Sequence, residues 1–481
     1  MEPVLNRPVL SPDQRRRILS RLVAAETFER FLHSKYIGQK RFSVEGGEAL
    51  LPLLDTLVED GAGLGAEEVV IGMAHRGRIN VLTHILHKPY EMILSEFEGT
   101  LERGNAGEGD GDVKYHKGFS CDHVTVQGRR VHLSLSSNPS HLEQVNPIVL
   151  GTVYAKQAYL KDQIYLKDMD YNRVVPVLIH GEAAFTGQGI VPEILSLSQL
   201  EGYRIGGTIH IIINNQVGFT STPNQTRFTP YPTDVAKMVR APVFHVNGDD
   251  PEAVVHAARL AMAFRQEFKG DVLIDLWCYR RHGHNETDEP TFTQPVMYRE
   301  IEAHPSACEL YGRRLAEEGV CGPTEVEEMR GQVRQRLEAA LSAAREEHVL
   351  HQASTLGGRW KGLTRAGDDW SARTAVASEV LRRVGERAAW TPPGFKVHPK
   401  LRRLLAVRLQ MAQGRQPVDW AGAECWPSGA CCWRRSRSAW QARTPSGGPS
   451  ASGTRCCTTS RRGIASRPWR TWPRTRPPSR S

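Results

Sequence analysis

This chain of 481 residues lacks several features that would place it in a specialised class. It has no run of eighteen or more apolar residues, so we expect no membrane-spanning helix and no membrane partner. The segment from Met1 to Arg17 has no apolar stretch and carries acidic residues among its arginines, which argues against a secretory signal or a transit peptide. The length leaves room for two or three domains, at roughly 100–200 residues each.

Cysteine is sparse in the first 420 residues. Cys121, Cys278, Cys308 and Cys321 are far apart and have none of the spacings that are typical of metal sites or disulfide frameworks. Scattered cysteines of this kind are typical of a reduced compartment. We therefore expect a bacterial cytoplasmic protein, or a protein of the mitochondrial matrix if the source is eukaryotic.

Lysine is absent from residues 421–481, which contain twelve arginines and one acidic residue, Glu424. The formal charge of +11 on this segment exceeds the +9 of the whole chain, so residues 1–420 carry about −2. The basic balance therefore gives no reason to expect nucleic acid binding by the body of the chain. A basic nucleic-acid binder is an alternative that rests on the tail alone.

The tail has no helical or strand period, and its mixture of Arg, Trp, Cys and Pro differs from that of a linker. Such a mixture is typical of GC-rich coding sequence translated out of frame. Shifting the codon boundary by one base lets Trp426 to Trp433 read as the apolar segment LALGSLLL, and two further windows also regain a normal composition. We therefore expect a single-base frame break near Cys425; the alternative is a natural arginine-rich disordered tail.

Short apolar runs predict the strands of an α/β protein. Each run is continuous and rich in β-branched residues, as in strands that are buried on both faces of a parallel sheet. The clearest runs are Val69–Met73, Val174–His180, Thr208–Ile213 and Asp271–Cys278. Helical patterns separate them, beginning at residues 11–36, where Ser11, Pro12 and Gln14 form a capping sequence. The pattern predicts a mostly parallel sheet with helices on both faces.

The same patterns suggest a division of the chain into segments. Residues 99–113 are rich in Gly, Asp and Glu and are expected to form a loop. The expected order is an N-terminal helical segment (1–45), an α/β domain (46–330), a helical connector with the start of a second domain (331–420), and a disordered tail (421–481).

Two polar clusters follow two of the predicted strands. Gly181-Glu182-Ala183-Ala184 comes after the strand that ends at His180, and Asn214-Asn215-Gln216-Val217-Gly218 comes after the strand that ends at Ile213. Ligands in parallel sheets bind at the carboxyl ends of the strands. Carboxylate, amide and backbone carbonyl oxygens suit Mg²⁺ that carries a diphosphate. Alone, an Asn-Asn pair after a strand is more often a simple turn.

Further motifs follow the other predicted strands and their loops. They are Gly72-Met73-Ala74-His75-Arg76-Gly77-Arg78, Asp112-Val113-Lys114-Tyr115-His116, Asn138-Pro139-Ser140-His141-Leu142-Glu143, Asn214-Asn215-Gln216-Val217-Gly218-Phe219-Thr220 and Tyr231-Pro232-Thr233-Asp234. With these motifs the chain resembles, over residues 20–420, the thiamine-diphosphate-dependent decarboxylating subunits of 2-oxoglutarate dehydrogenase complexes. The resemblance implies a thiamine-diphosphate-binding fold and the cofactors thiamine diphosphate and Mg²⁺. It also implies decarboxylation of 2-oxoglutarate in the citric acid cycle, with transfer of the succinyl group to a lipoyl group on a partner acyltransferase.

The resemblance also implies a role for individual residues. His75 and His116 would be catalytic, and together with Arg76 and Ser140 they would contact the 2-oxo acid. His282 and His284 would border the diphosphate, whereas His84, His87 and His210 are expected to be hydrogen-bonded structural residues. The implied cofactor-binding residues are Arg76, Ser140, Leu142, Glu182, Ala183, Ala184, Asn215 and Val217, of which Glu182, Asn215 and the Val217 carbonyl would bind the metal. Glu182 stands where members of the family carry the shorter Asp.

The resemblance has consequences for the chain on its own. In the family, a Glu from a second domain, usually of the facing subunit of a homodimer, activates the cofactor. We expect the chain to end before that residue and to lack the family's N-terminal arm. We therefore expect a chain truncated at both ends that is inactive alone, from a homodimeric parent. The alternatives are a 2-oxoadipate-directed relative and a non-catalytic cofactor-binding fragment; a transketolase would lack the His-Arg-Gly-Arg and Lys-Tyr-His motifs.

Overall fold

The computed structural model describes residues 8–99, 114–160, 169–346, 375–424 and 426. Residues 100–113 of the predicted loop and 427–481 of the predicted tail lie outside this part of the chain. The chain separates into two compact units, Met1–Gly362 and Leu363–Ser481.

The first unit is built around one seven-stranded sheet with the strand order β2-β3-β1-β4-β5-β7-β6. The strands are β1 Glu68–Met73, β2 Phe119–Val124, β3 Arg130–Leu135, β4 Val174–Gly181, β5 Ile209–Asn214, β6 Val243–Asn247 and β7 Val272–Trp277. Every neighbouring pair is parallel except β2 with β3 at one edge. The prediction of a mostly parallel sheet is therefore confirmed.

The helices of the first unit lie before, between and after the strands. They are α1 Pro12–Lys35, α2 Leu50–Gly63, α3 Arg78–His84, α4 Tyr90–Glu98, α5 Val145–Leu160, α6 Glu182–Gly187, α7 Ile190–Leu197, α8 Pro223–Thr226, α9 Pro251–Phe268, α10 Pro295–Ala303, α11 Ala307–Glu317 and α12 Pro323–Glu346, with 3₁₀ helices at Pro232–Val239 and Pro290–Phe292. Helix α1 begins as predicted, because the Ser11 side chain accepts from the Gln14 N–H and the Gln14 side chain accepts from the Ser11 N–H. This reciprocal capping box satisfies two helix-end donors.

The sheet is covered on both faces, as the continuous apolar runs predict. On one face, β-strand residues such as Val69, Val177 and Ile211 pack with the apolar residues of α1 to α4, α9 and α12. On the other face, Val70 and Leu178 pack with α5 and α7. Strands β4 and β5 lie in the middle of the sheet and are buried along almost their whole length, which is why these runs are mostly apolar.

The described part of the second unit includes the helices α13 Ser378–Ala389 and α14 Pro399–Ala412, and residues 420–424 are also helical. Helices α13 and α14 pack closely at Gly385, where an added Cβ would lie 2.1 Å from the Ala412 Cβ. No helix in the described residues of either unit combines the length and the apolar character that crossing a bilayer requires.

Candidate functional site

The carboxyl ends of the central strands meet at one edge of the sheet. The strand register pairs Met73 with Ile179, Gly181 with Ile213, and Asn214 with Trp277. The loops that follow β1, β4, β5 and β7 therefore start side by side. This alignment brings the predicted His75, Glu182 and Asn215 positions to the same edge, where parallel sheets bind ligands.

The loop after β5 turns back tightly onto α6. Gln216 has a positive φ of 63°, and its side-chain amide donates to the Cys278 carbonyl at 2.9 Å. Gly218 pairs with Ser221 in an isolated bridge, and a Cβ at Gly218 would lie 2.5 Å from the Ala183 Cβ. Only glycine allows this approach, so the predicted cofactor residues on α6 and those of the Asn215–Gly218 loop form one compact wall.

Glu182 supplies the carboxylate of this wall and is buried. Its Oε2 accepts a hydrogen bond from Nη1 of Arg227 at 2.8 Å, whereas its Oε1 is buried without a hydrogen-bond partner. Burial raises the pKa of Glu182 and nearby Asp275 adds to this, while the Arg227 charge opposes both. A buried acceptor without a donor is costly unless a ligand or cation satisfies it.

A second unsatisfied oxygen lies at the end of β5. The Asn214 amide donates to Asp275 Oδ1 at 3.0 Å, which leaves Asn214 Oδ1 buried without a partner. Asp275 is held on its other side by His245 Nδ1 at 2.8 Å. The next residue, Asn215, is buried, and its Oδ1 lies 3.4 Å from the Val217 N–H. Oxygen acceptors of this kind are the ligands that suit Mg²⁺.

His75 and Arg76 lie where β1 ends, and both are half-buried. The Arg76 guanidinium donates to the Ser43 carbonyl at 3.1 Å and to the His284 carbonyl at 2.7 Å. The His75 ring stands edge-on to His284, with centroids 5.5 Å apart. The structure therefore brings His284 to the same end of the sheet, as the sequence suggested.

Positive charge accumulates at this edge. Arg280 is buried, and its guanidinium contacts the His282 and Phe219 carbonyls and the Tyr298 hydroxyl. Within the described residues, neither Arg76 nor Arg280 has a carboxylate oxygen at ion-pair distance. Burial, with Arg280 nearby, lowers the pKa of Arg76 to about 10, so the group stays protonated at neutral pH. Two guanidinium groups with no carboxylate at ion-pair distance suit an anionic ligand.

The His75 imidazole is neutral at physiological pH. Burial lowers its pKa to about 3, and the charges of Arg76 and His284 act in the same direction. Burial and the Arg76 charge likewise lower the pKa of His284 to about 4. A neutral ring can donate one hydrogen bond and accept another. Arg76 rather than His75 therefore carries the charge at the end of β1.

The remaining predicted residues lie on the loops around β3. His116 is buried, and its carbonyl accepts from the Asn138 N–H at 2.9 Å. Ser140 and Leu142 are exposed on the loop that leads into α5. The structure thus links His116 to the loop of Ser140 and Leu142 through the backbone.

A buried hydrogen-bonded row, which the sequence did not reveal, ties that loop to the central strands. Glu143 Oε2 lies 2.6 Å from His180 Nδ1, and His180 Nε2 lies 3.0 Å from His210 Nδ1. The Asn146 amide also donates to Glu143 at 2.6 Å. Burial lowers the pKa of His210 well below its ordinary value. The Glu143 loop is therefore anchored to β4 one residue before Gly181.

Glu286 holds the loop that orients Arg76. Its carboxylate accepts from the backbone N–H groups of Arg41, Phe42 and Ser43 at 2.7, 3.2 and 2.9 Å. Phe42 has a positive φ of 53°, which lets the three N–H groups converge on one anion. Burial opposes ionisation of Glu286, but these donors and the Arg41 charge hold its pKa below the ordinary value.

Replacement of Glu286 by alanine is expected to lower the free energy of unfolding by about 2–3 kcal/mol, because three buried N–H groups lose a charged acceptor. Chemical denaturation followed by circular dichroism measures the change. Glu289, which accepts only from Thr291 on the same loop, provides the control variant Glu289→Ala. Equal denaturation midpoints for the two variants would contradict the bracing role of Glu286.

Comparison with known proteins shows which family the chain belongs to. The family described as dehydrogenase E1 component matches residues 20–353. The 2-oxoglutarate dehydrogenase E1 component of Brucella suis is 47% identical over 422 residues, which cover 86% of this chain and 42% of that protein. The corresponding proteins of Brucella canis and Brucella abortus show the same identity and coverage. The chain therefore spans less than half the length of these curated relatives.

The parallel sheet, its covered faces and the polar edge define an α/β protein with the thiamine-diphosphate-binding fold. The chain belongs to the dehydrogenase E1 component family, an oxidoreductase family. The resemblance on which the sequence prediction rests is thereby confirmed.

Proposed function

We propose that the intact protein decarboxylates 2-oxoglutarate oxidatively and passes the succinyl group to a lipoyl group on a partner acyltransferase. We further propose that residues 46–330 hold thiamine diphosphate with Mg²⁺, in a homodimeric parent. The observation that supports this most strongly is that unsatisfied oxygen acceptors and guanidinium groups with no carboxylate at ion-pair distance lie at one sheet edge. The acceptors suit a metal ion, and the guanidinium groups suit a diphosphate.

The residues of this edge would bind different parts of the cofactor and substrate. Glu182, Asn215 and the Val217 carbonyl would offer oxygen atoms to Mg²⁺, and Arg76 would face an anionic group of the cofactor or substrate. Neutral His75 can donate a hydrogen bond to a 2-oxo acid and hold its proton at one ring nitrogen, and His116 would contact the same substrate. Thiamine diphosphate, when bound, supplies a nucleophilic carbon and an electron sink for the loss of carbon dioxide.

Calorimetric titration of the purified chain with thiamine diphosphate tests the site directly. We expect saturable binding in the presence of Mg²⁺ and a much weaker signal after chelation of the metal. The variant Glu182→Gln keeps the size of the side chain and removes its charge, so binding should weaken at least about tenfold, the effect of losing about 1.4 kcal/mol. A parallel assay of carbon dioxide release from 2-oxoglutarate separates binding from turnover, which we expect to require the rest of the parent protein.

The exposed Glu193 on α7 provides a matched control. Glu193→Gln removes the same charge close to the site in sequence and should bind the cofactor as the wild-type chain does. Metal-independent binding, or equal affinities for both glutamine variants, would show that Glu182 does not contribute to a metal-diphosphate site.

A further inference from the structure

Arg227 and Glu182 form a buried ion pair at the candidate metal site. The Nη1–Oε2 distance is 2.8 Å, and the two side chains are 5% and 2% exposed. The pair leaves Nε of Arg227 and Oε1 of Glu182 buried without hydrogen-bond partners. A buried pair with unused atoms on both sides gains less than a fully hydrogen-bonded one. Each side chain can therefore exchange its partner for a ligand that satisfies more of its polar atoms.

The chain builds this contact from a short folded-back segment. After the Gly218–Ser221 bridge, Thr222 caps α8 through a reciprocal contact with Gln225. The Arg227 N–H donates to the Pro223 carbonyl at 3.0 Å, and the backbone at Arg227 is extended. The Arg227 side chain thereby enters the site from the same loop that carries Asn215 and Val217.

We propose that Arg227 is a resident counter-cation that competes with the divalent metal for the Glu182 carboxylate. This inference rests on the proposed function, because it takes Glu182 to be a metal ligand. Mg²⁺ approaches its oxygen ligands to about 2.0–2.1 Å and demands nearly octahedral geometry. A guanidinium that donates to Oε2 takes up part of the carboxylate's negative charge and repels a divalent ion. Metal binding therefore requires that Arg227 release Glu182.

The competition has a consequence for the order of binding. A metal ion that arrives alone displaces Arg227 and leaves its guanidinium buried without a counterion, which is costly. A metal ion that arrives with a diphosphate brings acceptor oxygens to which the released guanidinium can donate. Arg227 thus disfavours the bare metal and favours the metal-diphosphate complex, which makes it a specificity-determining residue for the cofactor.

Titration with Mn²⁺ alone, followed by loss of the free-ion electron paramagnetic resonance signal, tests the competition without any activity assay. The variant Arg227→Gln should bind Mn²⁺ about tenfold more tightly than the wild-type chain. Titrations at about pH 7 and about pH 9 are compared, because loss of the Arg227 charge opposes ionisation of Glu182 and higher pH favours it. Arg227→Lys keeps a cation and should gain less. Arg299→Gln removes an exposed charge on α10 and should change nothing.

The outcomes separate this inference from the proposed function. If Glu182→Gln lowers Mn²⁺ affinity while Arg227→Gln and Arg227→Lys leave it unchanged at the higher pH, the metal site stands and the competition is overturned. If Glu182→Gln binds Mn²⁺ as the wild-type chain does, the carboxylate is not a metal ligand and both proposals fail. Tighter binding by Arg227→Gln than by Arg227→Lys supports the competition, provided that circular dichroism shows both variants folded.

Discussion

Replacing Arg265 with methionine is expected to lower the free energy of unfolding by about 3–5 kcal/mol. The Arg265 side chain on α9 is completely buried. Its guanidinium donates to the carbonyls of Gly207, Tyr171, Val174 and Ile205 at 3.0, 2.5, 3.2 and 3.1 Å. Methionine fills much of the same volume but leaves four backbone acceptors without this donor. The Val174 and Ile205 carbonyls keep a second donor, the Gln157 side chain, so the loss falls mainly on the Gly207 and Tyr171 carbonyls. Buried acceptors that lose their partner cost about 1–3 kcal/mol each before the chain relaxes.

Arg265 differs from ion pairs that hydrophobic residues can replace without loss. Such replacement works when both polar partners are removed together, and a backbone carbonyl cannot be removed. Burial lowers the pKa of Arg265 to about 9, against the attraction of Asp271, so the group still carries its charge at neutral pH. The guanidinium therefore brings a desolvation cost that the four carbonyl contacts must offset.

Urea denaturation of the purified chain, followed by circular dichroism, measures this effect. Arg259 on the same helix is partly exposed and pairs with Asp60 at 3.4 Å, so Arg259→Met should cost less than about 1 kcal/mol. The contacts of Arg265 lie at the amino-terminal ends of β4 and β5, opposite the candidate site, so cofactor affinity of the folded variant should not change. A loss below about 1 kcal/mol for Arg265→Met would show that water or neighbouring groups replace the guanidinium.

Arg265 also shows where sequence patterns stop being informative. An arginine in an amphipathic helix normally predicts a solvated position, because charged side chains are rarely fully buried. Its partners are carbonyls at residues 171–174 and 205–207, far away in sequence, and backbone carbonyls leave no mark on composition. The Gly207 carbonyl that accepts from Arg265 belongs to a residue with a φ of 84° and no room for a Cβ beside Gly270. Neither feature could be predicted from one sequence.

The sheet, in contrast, was predictable for a physical reason. A strand buried on both faces needs a mostly apolar run, and β1, β4, β5 and β7 all have one, although His210 interrupts β5 and Asp275 interrupts β7. The ends of these runs also fixed the positions of His75, Glu182 and Asn215, since parallel strands bring their carboxyl ends to one edge. The edge strands β2 and β6 are only partly buried and carry weaker patterns.

Within the site, the interactions that the sequence missed are those between loops. Arg227 reaches Glu182 across 45 residues, from a segment whose only local signal is a capping sequence. Glu286 reaches Arg41 across 245 residues and holds backbone N–H groups, which have no signature in sequence. Motifs therefore predicted which residues lie at the carboxyl edge of the sheet, whereas the residues that contact them became visible only in three dimensions.

Replacing Glu48 is expected to have the second large effect, on the pH dependence of stability, because Glu48 is a carboxyl that the fold keeps neutral. Its side chain is 1% exposed, and its Oε2 has no hydrogen-bond partner. Burial raises the pKa of Glu48 to about 8, although the N–H groups of Gly46 and of Glu48 itself oppose the change; the charges of Glu45 and Glu26 add to it. An ordinary glutamate titrates near 4.5, so the folded and unfolded chains bind different numbers of protons between these two values.

The sign of the resulting pH dependence follows from linkage. Below about pH 4.5 both states are protonated, and Glu48 contributes no slope. Between that value and about pH 8 the unfolded chain releases a proton that the folded chain keeps, so rising pH favours unfolding. The variant Glu48→Gln is neutral at every pH and lacks this loss. Relative to the wild-type chain, it should therefore gain on the order of 2–4 kcal/mol of stability between about pH 5 and pH 8.

Denaturation of both proteins at several pH values measures the difference in unfolding free energy, in which the contributions of all other titratable groups cancel. An effect of the amide that does not depend on pH changes the unfolding free energy equally at pH 5 and pH 8. Only the increase in the free-energy difference between the variant and the wild-type chain from pH 5 to pH 8 therefore reports on the titration of Glu48. Glu267→Gln, at an exposed position of α9, reports the effect of the substitution itself. A difference that stays constant from pH 5 to pH 8 would mean that Glu48 is ionised inside the folded chain. A cation or ordered water at its unpaired oxygen would then have to stabilise the charge.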